Sequence, residues 1–68
     1  MLLYRLLTGP DDSAFCHKVT RALSNGWALH GSPAYTFDEA ENRRFCAQAV
    51  VKEVPGATYR EDMRLGDA

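Results

Sequence analysis

The stretch Asn25-Gly26-Trp27-Ala28-Leu29-His30-Gly31-Ser32-Pro33 constrains this chain more than any other. Asn-Gly suits the end of a helix, because glycine adopts the left-handed conformation that closes a last turn without steric cost. Trp27 and Leu29 then alternate with Ala28 and His30, which is the period of a strand with one buried face. A helix must therefore reverse directly into a strand. The only tryptophan of the chain sits at the junction, where its large apolar area anchors helix to sheet.

The flanking segments complete the pattern. Leu2 to Thr8 reads as a strand, with Tyr4 and Leu6 on one face and Leu3, Arg5 and Leu7 on the other. Gly9-Pro10 breaks it. Asp11, Asp12 and Ser13 offer capping oxygens for a helix over residues 11–25. Phe15, Val19, Ala22 and Leu23 form its apolar stripe, with Cys16 on the flank. The second strand runs from Trp27 to Phe37 and is interrupted by Gly31-Ser32-Pro33. Proline is tolerated in a sheet at an edge or a bulge, so this is an edge strand. A polar turn over residues 38–42 leads to a third strand, residues 44–54. Its Ala47-Gln48-Ala49-Val50-Val51 run is apolar on both sides, as expected of a central strand. Pro55-Gly56 ends it.

The expected fold is α+β: a β-α-β-β unit over residues 1–54, with a flexible or short-helical tail over residues 55–68. A crossover that skips one position puts the third strand between the other two, giving order 1-3-2. One helix then covers one face. The small side chains of Ala47 and Ala49 would admit the helix closely. That places Phe45, Ala47, Ala49 and Val51 beneath it, beside Tyr4, Leu6, Trp27 and Leu29. The core is expected to centre on Phe15, Val19, Leu23, Trp27 and Leu29.

A chain of 68 residues is one domain that buries about 60% of its unfolded surface, so disulfides, a metal or a partner chain would add useful stability. Its net charge of −1 is evenly spread. Residues 1–33 hold three cations against two carboxylates. Nucleic-acid binding thus loses its usual basic footprint. No segment reaches the length of a membrane span. The opening Met-Leu-Leu-Tyr-Arg does not resemble a signal peptide. A cytoplasmic location with reduced Cys16 and Cys46 follows as the expectation.

The expected helix-free face carries Leu3, Arg5, Leu7, His30, Cys46, Gln48 and Val50, together with Ala28 and Lys52. Aliphatic side chains on a bare sheet mark an interaction surface. Self-association about a two-fold axis, or docking of another protein, is the first functional expectation. A small-ligand or regulatory site built from Arg5, His30 and Gln48 is the second. Catalysis comes third: a Cys–His pair needs hydrogen-bond reach and an orienting group, and no such spacing is legible. Cys16 and His17 point about 100° apart on a helix, and paired zinc-ligand spacing is missing. No metal, cofactor or catalytic residue is expected.

The blocks Tyr4–Asp12, Gly26–Pro33 and Gln48–Lys52 together resemble the small proteins grouped as domain of unknown function family 1737. The Gly-Trp-x-Leu-x-Gly block, residues 26–31, is the most specific part. The resemblance spans roughly residues 2–54. It implies this fold and an intracellular bacterial or phage origin. It brings no established activity and no catalytic residues.

Overall fold

A computed structural model describes residues 1–65. Strand β1 spans Leu2–Pro10, helix α1 Ser13–Ser24, strand β2 Ala28–Asp38 and strand β3 Arg43–Glu53. Both pairings are antiparallel and the order is β1-β3-β2, an open α+β sheet with one helix.

Local chemistry sets the ends of α1. Asp12 is the N-cap, its Oδ1 accepting from the backbone N–H of Phe15 at 3.1 Å. Asn25 closes the other end, its N–H shared between the carbonyls of Ala22 and Arg21 at 3.0 and 3.1 Å. Gly26 follows at φ +94°, a conformation that side chains with a Cβ rarely adopt. The reversal delivers Trp27, 3% exposed, whose N–H donates to the Ala22 carbonyl at 3.1 Å.

Register then decides which face is which. Val50 stands opposite Arg5 of β1 and Leu29 of β2, while Ala49 stands opposite Leu6 and His30. Residues directly opposite share a face of the sheet. Helix α1 lies chiefly over β1 and covers the face of Leu3, Leu7, Gln48 and Val50, all at most 6% exposed. The core is Leu3, Leu7, Ala22, Trp27 and Val50, with Phe15, Val19, Val54, Met63 and Leu65 packed against it.

This inverts the faces expected for β1 and β3. Leu3, Arg5, Leu7, Cys46, Gln48 and Val50 lie on the helix side. Tyr4, Leu6, Phe45, Ala47, Ala49 and Val51 lie on the helix-free side. The expectation rested on small residues admitting the helix. In the fold, α1 closes over Leu3, Leu7 and Val50, while the other face keeps large apolar side chains of its own in Tyr4, Leu6, Phe45 and Val51. Close approach comes instead from Gly9, where an added Cβ would stand 3.3 Å from the Phe15 ring. Two expected core residues are also displaced. Leu23 is 42% and Leu29 55% exposed, because α1 sits toward β1 and leaves the β2 side of its own face partly open.

Residues 31–33 form the expected irregularity, a register shift between His30 and Ala34. The buried Gln48 faces it and supplies the donors the ladder lacks. Its Nε2 donates to the carbonyl of Ala49 at 2.9 Å and lies 3.3 and 3.5 Å from those of Gly31 and His30. Beyond β3, Gly56 at φ +76° turns the chain, and Met63 and Leu65 return to the core.

Candidate functional site

The helix-free face is built by alternation along three strands. β1 contributes Leu2, Tyr4 and Leu6, which are 62%, 54% and 54% exposed. The central strand contributes Phe45, Ala47, Ala49 and Val51, each half-buried between its neighbours. β2 adds Ala28, His30, Ala34 and Thr36, all exposed. No Asp, Glu, Lys or Arg interrupts the middle of this surface. Charge stands at its two ends: Arg43, with Asp38 of β2 opposite it, at one, and Glu53 at the other. Arg43 begins the row, its guanidinium 5.9 Å from the Phe45 ring. Glu53 ends it with its side chain 61% exposed, accepting from the Met1 amino group at 2.8 Å.

Tail residues Met63 and Leu65 pack against the buried cluster under α1, and Leu2, Tyr4 and Leu6 stay exposed. The described residues of the tail thus leave the apolar face bare.

The residues expected to converge do not meet. His30 projects from the helix-free face, while Arg5, Cys46 and Gln48 project from the other. Arg5 stacks on Trp27, its Cζ 5.5 Å from the ring, and Lys52 approaches the same ring at 6.0 Å. Gln48 is committed to the bulge carbonyls. Cys46 lies toward the helix N-terminus, where burial and the nearby Asp11 carboxylate push its thiol pKa up. A raised pKa removes thiolate, the nucleophilic form. Cys16 and Cys46 are free thiols.

Beside them, Tyr35 donates its hydroxyl to Asp11 Oδ2 at 2.7 Å. That hydrogen bond and the carboxylate charge hold the Tyr35 pKa above its ordinary value. The contact ties β2 to the loop before α1, a pairing that no sequence periodicity signals. Among the described residues there is no cluster of three His, Cys, Asp or Glu suited to a metal, and no helix long and apolar enough to cross a membrane.

No curated protein and no solved structure matches the chain. One family model does, over residues 1–53, ending with the last residue of β3. The match takes in every strand and the helix, and the chain belongs to the family described as Domain of unknown function (DUF1737).

Proposed function

We propose that this chain is a non-enzymatic interaction module that pairs with a second copy of itself through the helix-free face of its sheet. The observation that carries this reading is the row Arg43, Phe45, Ala47, Ala49, Val51, Glu53 on the central strand. It is apolar in the middle, positive at one end and negative at the other. Two such rows packed face to face about an axis across the strands run in opposite directions. Each Arg43 then meets the partner's Glu53 end, and the apolar middles meet each other. A two-fold interface requires a surface complementary to itself, and the order of charges along this row supports that reading. Sheets stacked about 10 Å apart would bury Leu2, Tyr4 and Leu6.

The second expectation, a small-ligand site shared by Arg5, His30 and Gln48, finds no support, since these residues occupy opposite faces. We further propose a bacterial, cytoplasmic setting, which suits the two free thiols.

Solution mass by sedimentation equilibrium tests the pairing. Twice the chain mass at micromolar concentration supports it, with Leu6→Asp falling to a folded monomer. A wild-type monomer at millimolar concentration would refute it.

A further inference from the structure

On the helix side, opposite the proposed interface, Arg5, Lys18 and Arg21 line one concavity of about 140 Å³ with Ala22 and Asn25. From these residues we infer a binding site for a phosphoryl-sized dianion. Three of the chain's eight Lys and Arg residues meet there, and no carboxylate lines the space. The two salt bridges among the described residues, Met1–Glu53 and Arg60–Asp62, involve none of the three. Arg21 lies in the last turn of α1, where the helix dipole favours a cation. That accounts for one charge. Arg5 comes from a strand, and its convergence with the helix cations has no such reason.

Two of the three are held in place rather than free to splay apart. The Arg5 guanidinium lies against Trp27, and Lys18 Nζ donates to the Thr8 carbonyl at 2.7 Å. Like charges held together raise each other's energy, and a shared anion relieves it. A guanidinium fork and an ammonium are the donor types that recognise phosphate oxygens. The concavity equals about five waters at liquid density, room for one phosphoryl group.

The test is amide and indole NMR of the full chain titrated with inorganic phosphate, at ionic strength held constant with potassium chloride. Saturable shifts at the Trp27 indole, which reports on Arg5, and at Thr8 and Arg21 are expected. Lys18→Gln/Arg21→Gln alters two exposed side chains and should keep the native spectrum while weakening binding about tenfold or more. Glycerol phosphate in a second titration separates sources: tighter binding points to an esterified phosphate, equal binding to the free anion. Shifts that chloride reproduces, that never saturate, or that survive in the double variant would overturn the site. Because the concavity lies across the sheet from the interface, its failure leaves the dimer reading intact.

Discussion

Leu6 and Leu7 are neighbours in the chain and face opposite ways through the sheet, Leu7 3% exposed beneath α1 and Leu6 54% exposed on the bare face. Their substitution to aspartate separates stability from association. Leu7→Asp puts an unpaired carboxylate in the core and loses the buried aliphatic area, a cost of about 3–5 kcal/mol. In a domain of this size that leaves the chain largely unfolded. Leu6→Asp should keep the native circular dichroism and dissociate the dimer. The prediction fails if the two variants behave alike.

The charged ends of the central strand set the register of the proposed dimer. Reversing one end, Glu53→Arg, puts like charges opposite each other and should weaken association several-fold at low salt. Adding Arg43→Glu to the same chain restores the opposition and should recover most of the affinity. Dissociation constants for the four chains of this cycle give the coupling directly. An interface in which the two strands run the same way would show no coupling between these positions.

Gln48 is buried and satisfied, so its replacement tests the bulge. Gln48→Leu keeps the volume roughly and removes the donor that serves the carbonyls at residues 30, 31 and 49. A loss of about 1–3 kcal/mol is expected for carbonyls left without that partner. Urea denaturation measures it. Amide exchange should accelerate first at residues 29–34, where the ladder is already interrupted.

The Tyr35–Asp11 contact predicts a pH dependence in the alkaline range. Tyr35 has its pKa raised in the folded chain, first by the hydrogen bond to Asp11. The folded state therefore binds that proton more tightly than the unfolded one. Stability from the contact is complete below the ordinary tyrosine value near 10 and is lost as pH rises through the higher folded value. Carbon NMR of the Tyr35 ring should show its midpoint moving down toward the ordinary value in Asp11→Asn. An unmoved midpoint would mean that Asp11 is not the cause.

The sequence by itself determined the elements and their order. Asn25-Gly26 stops the helix, Gly31-Ser32-Pro33 interrupts an edge strand, and the doubly apolar run around Val50 belongs in the centre. These are local rules of backbone conformation and period, and they hold for a segment wherever it packs. Tertiary structure alone decided which face of the sheet the helix covers. Alternation divides β1 into Leu3/Leu7 and Tyr4/Leu6 with equal clarity, and both sets are apolar. The choice rests on long-range packing: Ala22 of α1 and Trp27 close over Leu3, Leu7 and Val50, and the ladder sets Leu29 on that side, opposite Val50. A β2 pairing shifted by one residue would move every β2 side chain to the other face. That register spans some twenty residues of chain and a bulge, and no local signal encodes it. The candidate surface inherited the same ambiguity: sequence shows that an apolar face must be left over, and only the ladder shows that it is the face of Leu2, Tyr4 and Leu6.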